Sequence, residues 1–232
     1  MDTVAVSFTV VLEEMLSTLA QHPETARRIA RKLWRFFITD IRDPDPSFVE
    51  SAATVYLQNA TEIRPVVRFV LTSSWFTDPS MRFTRYAGPA EFVVRAIKEV
   101  GWQGLSLDEV LAPMASMGMQ LFEPPHVGGW PSGTGWLSTA TMLARSNFAA
   151  TLAGSQKESL AASVKADGRT PQALLAAMLD RVTPAPFDAV PQRALDSYLL
   201  AGGAWTGSAD QLNTRTAGLA RLLVASSEYQ FV

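Results

Sequence analysis

The chain has 232 residues, 47% of them hydrophobic and 18% charged, and its 20 Lys/Arg against 22 Asp/Glu give a formal net charge of −2. This is a globular composition with room for one large or two small domains, and the cations are scattered among anions, which argues against a nucleic-acid footprint. The absence of cysteine excludes disulfides, thiolate metal sites and a cysteine nucleophile, and no apolar run approaches the ~20 residues of a membrane-spanning helix.

Residues 4–12 are apolar but lack a basic flank and a small-residue cleavage site, and they run into Glu13-Glu14, so they do not read as a targeting signal. A helix is predicted after His22-Pro23, with Ala26, Ile29, Ala30, Leu33 and Phe37 on one face. Arg27, Arg28, Arg31, Lys32 and Arg35 lie on or beside the other face, either as a solvated surface or as a site for an anionic partner. Asp43-Pro44-Asp45-Pro46 breaks that helix, and a second is expected over 47–58. A third, over 62–73, turns Ile63, Val66, Val67, Val70 and Leu71 inward and ends before Trp75-Phe76.

Gly88-Pro89 opens the next helix, in which Phe92, Val93, Ala96, Ile97 and Val100 keep the helical period until Gly101. Ser106 and Glu109 have capping-box spacing and start a helix that runs through Met114 and Met117 towards Gly118. These methionines, with Met119, read as adaptable core filler. A helix over 137–152 carries Ala140, Leu143, Ala144, Phe148 and Ala149; residues 154–169 are small and polar and read as a linker. Thr170-Pro171 caps a short helix with Leu174, Leu175 and Met178, and Thr183-Pro184-Ala185-Pro186 forms a stiff connector. Helices over 187–200 and 210–226 flank Gly202-Gly203.

No strand-like alternation stands out, so the expected fold is all-α: an irregular, orthogonal multi-helix bundle with one long ordered loop at about 118–136. Residues 1–153 form the loop-bearing region, and 170–232 a C-terminal helical segment packed on it as one domain. Residues 68–76 echo residues 221–229, each ending a helix on Ser-Ser and an aromatic, which similar helix-end chemistry explains without a repeat architecture.

The loop is the most informative stretch. Residues 122–136 hold four of the fourteen glycines, three of the fourteen prolines, two of the six tryptophans and one of the two histidines. An irregular segment of this length within a domain is usually functional or disordered, and the apolar area of Phe122, Val127, Trp130 and Trp136 argues for order. One reading is a recognition pocket in which a tryptophan face stacks on an apolar or sugar-like surface while Glu123, His126, Arg145 and Asn147 fix orientation. The other makes Trp130 and Trp136 core anchors, with Arg145 tying down loop carbonyls or Glu123. Glu123 and His126 are the weak catalytic candidates. Ser132 lacks the flanking glycines of a nucleophile elbow, and a metal site on Glu123 and His126 would lack further ligands. No metal or cofactor is expected.

Phe122, Glu123, Pro124, Pro125, His126, Val127, Gly128, Gly129, Trp130 and Pro131, followed by Gly133, Trp136, Leu143, Ala144, Arg145, Asn147, Phe148 and Ala149, resemble the signature of the bacterial DUF1800 family, a domain of unknown function. Residues 22–37 and the closing Ser226-Ser227-Glu228-Tyr229 resemble its flanking motifs, so the similarity covers about 20–232 and is to the C-terminal half of family members. The resemblance implies a mostly helical protein, commonly exported to the periplasm or cell envelope and often encoded beside a sulfatase-like DUF1501 protein. It implies no established activity. The expected function is a non-enzymatic binding or assembly module using residues 122–136 to recognise a partner protein, such as the DUF1501-like neighbour, or a glycan. The rival is a hydrolase of glycans or esters with Glu123 as acid/base and Arg145 as anion clamp.

Overall fold

A computed structural model describes residues 8–102, 104, 106–164, 170–182, 185–201 and 203–232. Twelve α-helices are present among them, and the one β pairing there is an isolated bridge between Tyr86 and Phe231. The chain forms two compact units, Met1–Arg85 and Tyr86–Val232. The expected linker at 154–169 includes a helix, and its residues 165–169 lie outside the described ones, as do Thr183 and Pro184 of the expected connector and Gly202 of the expected turn.

The first unit contains α1 (Phe8–Ala20), α2 (Pro23–Phe37), α3 (Pro46–Gln58), α4 (Ile63–Leu71) and α5 (Ser74–Thr77). Helix α2 begins where the proline predicted, and the His22 Nδ1 accepts from the Glu24 N–H at 3.1 Å as its cap. Its fully buried stripe is Ala26, Ala30 and Trp34, while Ile29, Leu33 and Phe37 are half-buried. The core-facing line is therefore rotated from the expected one, because Trp34 provides the largest apolar surface on the helix. Trp34 meets Phe48 edge-on at 4.9 Å and Trp75 at 5.3 Å, and its Nε1 donates to the Arg42 carbonyl at 3.2 Å. The Asp-Pro repeat both breaks the chain and caps α3, with Asp45 Oδ1 accepting from Ser47 N at 2.8 Å and Phe48 N at 3.2 Å.

Arg27 donates to Glu50 at 2.7 Å and Glu24 at 2.6 Å, whereas Arg28, Arg31, Lys32 and Arg35 are exposed. Helix α1 has no counterpart in the sequence reading. Its Val10, Val11, Leu12, Met15, Leu16 and Leu19 are each between 39% and 55% exposed, so its apolar surface is only partly covered.

The second unit contains α6 (Pro89–Ala96), which continues as a π turn (Ile97–Gly101), then α7 (Leu107–Ser116), α8 (Thr139–Ser155), α9 (Lys157–Val164), α10 (Pro171–Val182), α11 (Ala189–Leu200) and α12 (Ala209–Ala225). Its core centres on Phe92, Met117, Leu152, Leu160, Leu174, Met178, Leu219, Leu223 and Tyr229. Helix α12 lies against α8, α9 and α10. Helix α9 falls within the expected linker, where Leu160, Ala161 and Val164 are buried at one-turn spacing; small polar residues around them masked that apolar line. The π turn frees the carbonyls of Glu99 and Val100 to accept from Arg181 at 2.6 and 3.3 Å.

The echo at 68–76 and 221–229 has one physical cause. Ser73 Oγ donates to the Val70 carbonyl at 2.7 Å and accepts from Phe76 N at 3.3 Å, and Ser226 Oγ does the same with Leu223 at 2.8 Å and Tyr229 at 3.3 Å. Each serine closes one helix and opens the short turn after it.

That second turn delivers the C-terminal segment to the core. Tyr229 is fully buried and its hydroxyl donates to Glu99 at 2.6 Å; Arg95 donates to the Phe231 carbonyl at 2.7 Å and lies over the Tyr229 ring at 4.1 Å. Burial, and then the bond to Glu99, hold the Tyr229 hydroxyl well above the usual tyrosine pKa. The folded state thus keeps the phenol protonated while the unfolded chain ionises from about pH 10, so its stabilisation is complete below that pH and falls above it. Urea unfolding at pH 8 and pH 11 should show a smaller alkaline loss for Tyr229→Phe than for the wild type; equal losses would refute the assignment. Trp34→Ala should destabilise the first unit by about 3–5 kcal/mol in the same assay.

Candidate functional site

The loop leaves the C-terminal end of α7 and runs to α8, and backbone bonds close its near end: the Gly118 N–H donates to the Ala115 carbonyl and the Met119 N–H to the Met114 carbonyl, each at 2.9 Å. At the other end of α7, away from the loop, Ser106 and Glu109 form the expected capping box, with Glu109 Oε2 accepting from Ser106 N at 2.9 Å and Oγ at 2.8 Å. The Ser106 N–H, followed by its hydroxyl, holds the Glu109 carboxyl below the usual range and therefore ionised. At the far end, Ser138 caps α8 by accepting from Thr141 N at 3.2 Å, and the Thr141 hydroxyl donates to the Trp136 carbonyl at 2.9 Å.

Between these anchors the loop divides into a seated base and a projecting tip. Gly133–Trp136 forms a single 3-10 turn in which Trp136 is buried, its Nε1 close beside Gly88. Trp130 is half-buried, with its Nε1 enclosed and without a hydrogen-bond partner. The tip is different. Phe122 is 92% exposed and Val127 fully so, although both had been expected to contribute covered apolar area. Phe122 also has a φ of 66°, a left-handed conformation that costs a bulky residue about 1–3 kcal/mol.

Glu123 is exposed and accepts a hydrogen bond from the Gln120 side chain. His126 is exposed, and its Nδ1 accepts from the Gly128 N–H at 3.0 Å, so that nitrogen holds the turn. A β-carbon on Gly128 would lie 2.9 Å from the His126 ring, and Gly129 has a φ of 93°, so the turn requires both glycines. Glu123 and His126 thus serve the shape of the loop. Among the described residues there is no group of three or more His, Asp or Glu that could hold a metal ion, and no helix long and apolar enough to cross a membrane.

Arg145 and Asn147 share α8 but face opposite ways. Arg145 is 0% exposed, which removes it from any recognition surface. It ties neither the loop carbonyls nor Glu123: Nη1 donates to Gln230 Oε1 at 2.9 Å, Nη2 to the Ala87 carbonyl at 2.8 Å, and the guanidinium lies 4.7 Å from the Phe92 ring centroid. Burial pulls its pKa down to about 10, and it remains charged at neutral pH.

Asn147 is exposed and lines a groove of about 500 Å³ between α7 and α8, together with Trp102, Glu109, Ala112, Leu143 and Phe148. Leu143, expected to face the core, is 61% exposed at this groove. Sequence reasoning missed the groove because Ala140, Leu143, Ala144 and Phe148 had been read only as the apolar residues of one helix, and Glu109 only as a cap.

The same residues bear on ancestry. The family model described as "Protein of unknown function (DUF1800)" matches residues 3–231, nearly the whole chain. The chain belongs to the DUF1800 family. No curated protein and no solved structure matches it. The signature of this DUF1800 protein now separates by position: Trp136, Arg145, Phe148, Ala149 and Tyr229 are buried, whereas Phe122 to Val127 stand in solvent.

Trp136→Ala should therefore cost about 3–5 kcal/mol in denaturant unfolding. Phe122→Gly should stay within about 1 kcal/mol of the wild type, because relief of the left-handed strain offsets the gain in unfolded-state entropy. A loss above 2 kcal/mol at Phe122 would show that its ring is structural.

Proposed function

We propose that the protein is a non-enzymatic binding module of the bacterial envelope whose recognition surface is the tip of the 122–136 loop, and that its partner is another protein. One observation carries this reading: Trp136 is turned into the core and Trp130 half into it, while Phe122 and Val127 project into solvent from a loop tied by hydrogen bonds to the end of α7 and the start of α8. The tryptophan faces on which a sugar would stack are turned inward, whereas Phe122 and Val127 held outward on an anchored loop suit a desolvated protein contact. Maintaining Phe122 in a strained conformation without covering its ring is consistent with selection for contact and not for stability. The envelope location rests on the habit of the family.

The hydrolase reading has less support. Glu123 stands on an exposed turn and is engaged by Gln120, and Arg145 is enclosed, so the proposed acid/base and anion clamp do not share a cleft.

The DUF1501 protein encoded beside a family member is the first partner to test. In biolayer interferometry the wild-type chain should bind it, and the double variant Phe122→Ser/Val127→Ser should weaken binding at least tenfold, the ~1.4 kcal/mol expected of hot-spot loss. Its melting temperature should be unchanged. Equal binding by the two forms would reject the loop tip as the contact surface.

A further inference from the structure

The groove between α7 and α8 lies apart from the loop tip and has a chemistry of its own. Its volume of about 500 Å³ is within the ~300–1,000 Å³ of small-molecule sites. Ala112, Ala140 and Ala144 leave the space open, and Trp102 and Phe148 supply aromatic surface. The Ser116 hydroxyl is already donated to the Ala112 carbonyl at 2.9 Å.

Glu109 is the one charged side chain lining the groove among the described residues. Its Oε2 is held in place by Ser106, while among those residues Oε1 receives no hydrogen bond and no cation pairs with the carboxylate. Asn147, also on the lining, has a side-chain amide without a hydrogen-bond partner among the described residues. An anchored carboxylate beside aromatic surface attracts a cation by charge and by the ring faces, and it penalises an anion of the same shape.

We propose that this groove binds a small organic cation with an apolar body, an aryl- or alkylamine. The ammonium pairs with Glu109 Oε1, and the body lies against Trp102 and Phe148. This site does not depend on the loop reading.

Isothermal titration of the full chain with 4-phenylbutylamine, 4-phenylbutanol and 4-phenylbutyrate tests it. The amine should bind at least tenfold more tightly than the acid, with the alcohol between them. Glu109→Gln retains the capping box, because glutamine accepts from Ser106 in the same way, and should bring the amine down to the affinity of the alcohol. Ala140→Trp, at an exposed position on the groove wall, should abolish binding of all three while leaving the circular-dichroism melt unchanged. Should Ala140→Trp not fold, Glu109→Gln decides alone. The Phe122→Ser/Val127→Ser variant should bind the amine like the wild type, so failure of the loop reading and failure of this one are separable. Equal affinity for amine and acid, or no effect of Glu109→Gln, would overturn the proposal. So would binding of an acetylated leucine-lysine peptide without binding of the amine, which would give the groove to a protein ligand.

Discussion

The second unit depends on a buried guanidinium. Arg145 places a positive charge where no water reaches it, and burying a charge costs several kcal/mol unless its donors are met. The Gln230 side chain and the Ala87 carbonyl each take a donor and the face of Phe92 lies beside the charge, while Nε is enclosed without a hydrogen-bond partner, so three distant parts of the chain converge on one side chain. The Ala87 N–H in turn donates to the Gln230 carbonyl at 2.8 Å, which closes the arrangement on itself. Partners held by an ion are held directionally, and α8 is therefore fixed in rotation as well as in position.

That rotation decides what α8 presents outward. With Arg145 facing in, Leu143 and Asn147 face solvent and the groove beside α7 acquires its wall. The loop leaves α7 through backbone bonds and enters α8 through the Ser138 side-chain cap, so its base inherits the rigidity of the helices and its tip does not need to be buried to be ordered. An exposed phenylalanine with a positive φ sits in a local turn closed on either side of it, where the Glu123 N–H donates to the Gln120 carbonyl at 3.1 Å and the Gln120 side chain donates to the Glu123 carboxylate. The two histidines act alike, since His22 and His126 each accept from the backbone N–H two residues on.

The helices were largely legible because proline starts, serine caps and apolar periods are local. Pro23, Pro89, Ser106 and Pro171 each mark a helix start close to the observed one. Helix α9 was not legible, because alanine and serine dilute its apolar line, and α1 was not, because the apolar residues 4–12 were weighed as a targeting signal and rejected with no helix read in its place. At the site, the loop was identifiable as ordered from its glycines and tryptophans, but which aromatics would be covered was not. Trp136 and Phe122 are equally apolar on paper, and only the packing of α8 and Gly88 distinguishes them.

By itself, the sequence determined an all-α protein of the DUF1800 family, the positions of most helices, and a shaped loop at 122–136, because these follow from short-range backbone chemistry and a distinctive motif. Tertiary structure alone decided that Arg145 is a core tie, that Trp34 leads the first core, that Phe122 and Val127 are surface, and that Glu109 lies at a groove. The direction a side chain faces depends on neighbours far away in the chain: Gln230 lies 85 positions from Arg145, and no local pattern encodes that meeting.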